Sequence, residues 1–460
     1  MSFNTQDTIV AIATPPGRGG IGVVRLSGPH ALAIAQQLIT HHGPLEPRQA
    51  TLTKVSPHAV NDTNSRGKED CASRRTDCSA IDQVVALYFP APASYTGDAV
   101  VELSAHGSPV VLRTIVAAAI ERGARLAEPG EFTLRAFLNG RIDLLQAEAV
   151  ADLIDAVTPL QARVAFDQLD GTLTRAIADI DRHLFDLVAQ LEASVDFPDE
   201  GYHFVEPGML ARGLDELLAQ SRALLASARR GRLIREGFQG AIVGRPNVGK
   251  SSVFNALVGA PRAIVTNRPG TTRDLVTEVV DLDGLRVTFV DSAGLREATD
   301  PAEVEGIERS RQIVETSDLT LFVVDDEATV EATDSKRLVV RNKSDLAPAV
   351  PGADGDRVSV SAKTGAGLDA LRRRIVAALD DQQTRERPEI SNVRHVTLVQ
   401  RAHDALERAR AAALSEGGTL PEEFVLADLQ EARAALEEIT GRRTPDDLLA
   451  HIFARFCVGK

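Results

Sequence analysis

Residues 8–134 alternate short apolar runs with Gly and Pro: Ile9-Val10-Ala11-Ile12, Ile21-Gly22-Val23-Val24-Arg25-Leu26 and Val84-Val85-Ala86-Leu87-Tyr88-Phe89. Runs this short, bounded by turn formers, predict strands. With a helix expected near residues 110–122, residues 1–140 read as an α+β domain. Inside it, residues 61–79 are polar and nearly free of large apolar side chains, so burial cannot offset the entropy of ordering them. They read as a disordered or loop insertion.

From about residue 142 the period becomes helical. Leu145, Ala149, Leu153 and Val157 form one stripe. Phe166, Leu169, Leu173, Ile177, Ile180, Leu184, Leu187, Leu191 and Val195 form a longer one, which predicts a single long helix of a bundle. A loop over 198–208 and a helix through Leu210, Leu214, Leu217 and Leu224 follow. Phe238-Gln239-Gly240-Ala241-Ile242-Val243 then opens a new domain, residues 236–380, as a buried strand. Beyond it Val425, Leu429, Ala432, Leu436 and Ile439 restore the helical period, and Thr444-Pro445-Asp446-Asp447 reads as a capped helix start. Neither helical segment, 141–235 or 381–460, can bury its stripe alone. The middle domain is therefore expected as an insertion in one helical domain.

Composition narrows the class. The chain has 460 residues, 43% hydrophobic and 25% charged, a length that favours two or three domains. It has no apolar run long enough to span a membrane, and its start lacks the basic-then-apolar profile of a signal peptide, so a cytoplasmic protein with no membrane partner is expected. The 3 cysteines, Cys71, Cys78 and Cys457, are an odd and scattered set that argues against a disulfide framework. A net charge of −14 repels phosphate globally, so any nucleic-acid contact must be local and salt-sensitive.

Gly244-Arg245-Pro246-Asn247-Val248-Gly249-Lys250-Ser251 fits a phosphate loop between a strand and a helix. Its glycines let backbone N–H groups wrap phosphates, Lys250 neutralises charge, and the Ser251 hydroxyl suits Mg²⁺. Thr271-Thr272, Asp291-Ser292-Ala293-Gly294, Asn342-Lys343-Ser344-Asp345 and Ser361-Ala362-Lys363 follow in order. Thr272 is placed to ligate Mg²⁺ and Asp291 to support the metal. Asp345 would accept from guanine N1–H and its amino group, which adenine cannot match. The set predicts a P-loop, Ras-like α/β GTPase domain; ATP specificity is the weaker alternative.

Hydrolysis needs a further device. Where Ras-like switches carry a water-orienting Gln, this chain has Leu295, which cannot hydrogen-bond. Asn247 and the carbonyls of the 266–271 loop are hard oxygen donors suited to K⁺. The competing reading is a slow switch that needs an activating protein. The ending Phe456-Cys457-Val458-Gly459-Lys460 follows an amphipathic helix, and Cys457 reads either as a buried structural thiol or as a catalytic or ligand-contacting one.

These motifs, with Pro269-Gly270-Thr271-Thr272-Arg273-Asp274, the opening Thr14-Pro15-Pro16-Gly17-Arg18-Gly19-Gly20 and the Phe-Cys-x-Gly-Lys ending, resemble the MnmE (TrmE) family of tRNA-modification GTPases over essentially the whole chain. The resemblance implies a homodimer that works with the flavoprotein MnmG (GidA) to place a carboxymethylaminomethyl-type group on C5 of the tRNA wobble uridine. The one-carbon unit would come from a tetrahydrofolate derivative, 5-formyl or 5,10-methylene, bound by the N-terminal domain, which also dimerises. GTP contacts implied by motif match are Asn247, Val248, Gly249, Lys250, Ser251, Ser252, Thr266, Asn267, Arg268, Thr271, Thr272, Asp291, Ser292, Ala293, Gly294, Asn342, Lys343, Asp345, Ser361, Ala362 and Lys363. Ser251 and Thr272 would hold Mg²⁺; Asn247, Thr266, Arg268 and Thr271 would hold K⁺. Glu303 would position water and Cys457 would take part in the chemistry. Arg25, Glu102, Arg141 and Lys460 would bind folate, with Arg25 and Lys460 on the glutamyl carboxylate and Glu102 on the pterin edge. Arg141 stands where many relatives have Lys, and Ser292 where Thr is usual. A ribosome-assembly switch is the runner-up, but residues 380–460 lack the G-x-x-G loop of an RNA-binding KH domain; a signalling GTPase is the third reading.

Overall fold

The computed structural model describes residues 5–56, 80–196, 207–245, 247–259, 263–264, 277–291, 317–325, 337–346, 357–379, 389–414, 422–443, 445–454 and 456–459. The 61–79 stretch, with Cys71 and Cys78, lies outside them. Contacts divide the chain into two compact units, residues 1–151 with 440–460 and residues 152–439.

The first unit is built on a six-stranded sheet of β1 (Ile9–Ile12), β2 (Gly19–Ser27), β3 (Thr51–Val55), β4 (Asp82–Phe89), β5 (Val100–Gly107) and β6 (Arg125–Leu126), in the order β3-β4-β5-β2-β1-β6. Only the β1–β6 pairing is parallel. Alternation along β2 sends Val24 and Leu26 into a core under α1 (Ala31–Leu38) and α2 (Pro109–Glu121), and Arg25 to the other face. There α3 (Glu131–Leu138) packs Phe132 on Ile9 and Ala11. A second cluster joins Leu134, α4 (Leu144–Asp155) through Leu144 and Ala147, and the C-terminal helix Asp446–Phe453 with Phe456. That helix opens at Asp446 after an extended Pro445, φ −62° and ψ 145°, so proline occupies the cap position just outside the first turn.

Beneath α3 lies an ion cluster that periodicity cannot reveal. Arg135, 1% exposed, reaches Asp7 at 2.5 Å and Glu131 at 2.9 Å, and Arg125 reaches the same two carboxylates at 2.7 and 2.6 Å. Burial pushes the Asp7 and Glu131 carboxyls up, but the arginine hydrogen bonds outweigh it and hold both below their usual range. A depressed folded-state pKa contributes stability above the unfolded value, about 4, and that contribution is lost as pH falls through the folded value. Arg135→Met is expected to cost about 3 kcal/mol at pH 7, because it removes the buried partner of Asp7 and Glu131 and leaves both carboxylates to Arg125 alone. Denaturant melts should also show a smaller stability loss between pH 5 and 3 in the variant than in the parent.

In the second unit a seven-stranded sheet runs β13-β12-β11-β7-β10-β9-β8, with β7 (Phe238–Val243), β8 (Ala263–Ile264), β9 (Thr277–Leu282), β10 (Leu285–Asp291), β11 (Leu319–Val324), β12 (Arg337–Arg341) and β13 (Arg357–Ser359). Its central strands are parallel and covered by helices that include α8 (Lys250–Val258) and α9 (Leu368–Leu379), so apolar residues dominate them, as in Ala241-Ile242-Val243 and Leu321-Phe322-Val323-Val324. The helices α5 (Pro159–Leu169), α6 (Thr172–Asp196) and α7 (Pro207–Glu236) precede the sheet; α10 (Val393–Ala413) and α11 (Glu422–Thr440) follow it, and α10 packs along α7.

The long stripe that predicts one helix belongs to two. Gly171, at φ +86°, ends α5, its N–H returning to the Gln168 carbonyl at 2.9 Å while Asp170 N–H returns to Phe166. The break rotates the stripe. Phe166 is 57% exposed, and α5 buries Gln161, Val164, Ala165 and Gln168 instead.

Candidate functional site

The phosphate loop is shaped by what glycine permits. A side chain on Gly244, φ +153°, would collide with the Val323 carbonyl, and one on Gly249, φ +93°, with the Asn342 amide. Val248 anchors the loop in the core, 3% exposed, and Gly249 caps α8 so that its first N–H groups and the exposed Ser251 and Ser252 face outward. The Lys250 ammonium crosses the loop to the Arg245 carbonyl at 3.1 Å.

The base motif is bolted to that loop. Asn342, 4% exposed, donates to the Val248 and Gly249 carbonyls at 3.1 and 3.4 Å and accepts from Ala362 N–H at 3.1 Å. Lys343 donates to the Asn247 carbonyl and pairs with Asp325, both at 2.9 Å. Asp345 accepts from the buried Ser361 hydroxyl at 2.7 Å, and this bond holds its exposed carboxyl below the usual range. Four segments far apart in sequence thus form one rim. Asp325 is a site residue that no motif announced; its only signal is its place one residue after β11. Asp291 ends β10. Thr266, Asn267, Arg268, Thr271, Thr272, Ser292, Ala293, Gly294, Glu303 and Lys460 lie outside the described residues.

In the first unit Arg25 and Glu102 are register partners on β2 and β5, ion-paired through Nε and Nη2 at 2.8 Å. The Arg25 guanidinium carbon lies 5.7 Å from both the Tyr95 and Phe132 ring centres, and Nη1 donates to the Gly459 carbonyl at 3.5 Å. Tyr95 is tied to Thr133 at 2.9 Å, and burial pushes its phenol up. Arg25 and Glu102 thus meet directly on one face of the sheet. Arg141 is exposed and lies against Gly97, in the loop that carries Tyr95.

The C-terminal tail is part of this arrangement. Phe456 is buried against Phe453, Val458 bridges Pro129, and Gly459, φ +96°, sits against Ile12–Ala13 so closely that no side chain fits. Cys457 between them is exposed, so core packing is not what it does. Among the described residues no cluster of His, Cys, Asp and Glu is built to hold a metal, and no helix is long and apolar enough to cross a membrane.

Residues 8–141 match the family described as GTP-binding protein TrmE N-terminus, and residues 144–457 match the MnmE helical domain. A tRNA modification GTPase MnmE of Koribacter versatilis is 43% identical, with all of both chains covered. The chain belongs to the MnmE family. MnmE proteins of Laribacter hongkongensis, 44% identical over 99% of each chain, and of Neisseria meningitidis serogroup B, 42% over the whole of each, place it equally. Among solved structures, Aquifex aeolicus Era gives a TM-score of 0.25 at 27% identity, covering 36% of this chain and 66% of that one.

Proposed function

We propose that this GTP hydrolase modifies the tRNA wobble uridine as a cytoplasmic homodimer, in concert with a flavoprotein of the MnmG type, and that K⁺ stimulates its GTP turnover. The observation that carries the nucleotide half is the joint rim: a phosphate loop whose glycines leave room only for backbone, coupled through Asn342 and Lys343 to an ionised Asp345. Asp345 selects guanine by accepting two hydrogen bonds, Lys250 and the α8 N-terminus hold the phosphates, and Ser251 would hold Mg²⁺, which neutralises charge developing on them. Asn247 would contribute to a K⁺ site, with Thr266, Arg268 and Thr271, and Glu303 would orient water.

The folate half is supported by the chemistry of the first unit. An arginine between two aromatic rings, paired to a carboxylate and touching the tail, offers a planar, charged surface to a polar heterocycle. Arg25, Glu102, Arg141 and Lys460 would hold a tetrahydrofolate, which supplies a one-carbon unit when bound. Cys457 is exposed on a backbone fixed from both sides.

The test is mass spectrometry of tRNA wobble uridines from cells with and without this protein. A C5-carboxymethylaminomethyl-type group is expected only with it. Cys457→Ser is expected to abolish the modification and leave GTP turnover unchanged; modified uridine at parental level in that variant would remove the thiol from the chemistry.

A further inference from the structure

The buried face of α5 is polar. Gln161 and Gln168, two turns apart, are each 7% exposed, and both are engaged. Gln161 Oε1 accepts from Val157 and Thr158 N–H at 3.0 and 3.2 Å and, with Thr158, closes a capping box on α5. Its Nε2 donates to the Ile234 and Arg235 carbonyls, both at 3.0 Å, in the last turn of α7. Gln168 Nε2 donates to the Glu389 carbonyl at 2.7 Å. Residues 234–235 are where the chain leaves the helices for β7, and Glu389 is where it returns toward α10. One face of one helix therefore holds both crossings.

The grip is reinforced without being solid. Arg235 pairs with Asp152 through two bonds of 2.7 and 2.8 Å, and Gly231 backs onto the Ile390 carbonyl with no room for a side chain. Beside them lies a cavity of about 200 Å³ lined by Gln161, Arg235, Arg286 and Ser391, so the joint has space for a second arrangement. From here β7 and β10 run paired, Phe238 with Val287 through Ile242 with Asp291, and end at the phosphate loop and at Asp291. At roughly 3.3 Å per residue the paired stretch spans about 16 Å as a stiff connection.

We infer that α5 is the clamp through which the state of the GTP site reaches the helices, with Gln161 and Gln168 as its positioning residues, an inference that rests on the GTPase reading above. Movement at the nucleotide end of β7 and β10 arrives at the last turn of α7, where the two amides either follow it or let go. Neither glutamine touches nucleotide.

Glutamate substitutions separate gripping from folding. Gln161→Glu keeps an acceptor that caps α5 and turns the donation to α7 into repulsion between a carboxylate oxygen and the Ile234 and Arg235 carbonyls; Gln168→Glu does the same at the Glu389 carbonyl. In the full chain carrying both, GTP turnover is expected at the parental rate. Wobble-uridine modification per GTP hydrolysed should fall roughly tenfold, within the range of site-to-site coupling. In the parent, hydrogen exchange of residues 231–240 should differ between GDP and a non-hydrolysable GTP analogue in KCl, and the difference should vanish in the variant. A parent indifferent to nucleotide there, or a variant that keeps both the difference and the ratio, overturns the clamp. So does a parallel fall in helix content, turnover and modification, which marks mere damage to α5. A parent that modifies no tRNA sinks the proposed function instead, and the exchange arm then decides the clamp alone.

Discussion

Asp345→Asn is expected to weaken GTP binding by on the order of 10⁴, the scale on which a site built around a hydrogen-bonded group rejects a mismatch. Guanine presents two donors, N1–H and the exocyclic amine, to a carboxylate that only accepts. An asparagine amide meets one of those donors with a donor of its own. Xanthine carries a carbonyl in place of the amine, so xanthosine triphosphate should bind the variant better than GTP does. The Ser361 hydroxyl is what makes the substitution clean, since it already fixes the Asp345 carboxyl at 2.7 Å and can do the same for an amide oxygen. It also keeps Asp345 ionised below the usual carboxylate range, so parental affinity should stay level from pH 8 to pH 5. Fluorescence titration with labelled GDP and competition by the two triphosphates checks all three statements.

The second large effect is ionic. Replacing KCl with equal NaCl should lower GTP turnover at least tenfold, towards the roughly 10³ that a positive charge beside the transferring phosphate contributes in related chemistry. Leu295 offers no water-orienting amide, and in the proposed function the cation takes its place. Asn247 is the described member of the proposed site, exposed and at φ +65°. That backbone conformation decides the variant. Asn247→Ala adds about 1–2 kcal/mol of left-handed strain to the loss of the amide, whereas Asn247→Gly removes the amide alone. The glycine variant should turn GTP over equally in K⁺ and Na⁺ at saturating nucleotide; a variant still stimulated by K⁺ would move the cation elsewhere.

What could be read in the sequence follows from how far its signals reach. Strands β1, β2 and β4 and helix α2 lie within a residue or three of their apolar runs, because alternation and punctuation are local. The phosphate loop was legible because its glycines, Lys250 and Ser251 are contiguous. The helical stripe misled at Gly171: a single left-handed glycine resets the phase, which placed Phe166 inward and hid Gln161 and Gln168 as unremarkable polar positions. The Arg25–Glu102 pair spans 77 positions and the Arg135–Asp7 pair 128, distances over which no periodicity speaks. Resemblance named the first pair, and nothing named the second. The same holds for Asp325, ordinary in sequence and recognisable only by its partner Lys343.

The last residues of the chain sit in the first unit, where Leu449, Phe453 and Phe456 share a cluster with Leu134, Leu144 and Ala147. During synthesis the N-terminal sheet emerges some three hundred residues ahead of the side chains that complete its second cluster. The inserted sheet can close on its own local contacts in that interval. The unit whose sheet is made first thus waits longest for part of its packing, and a ribosome stalled before Phe456 would carry a GTP-binding domain and an N-terminal sheet whose second cluster is still incomplete.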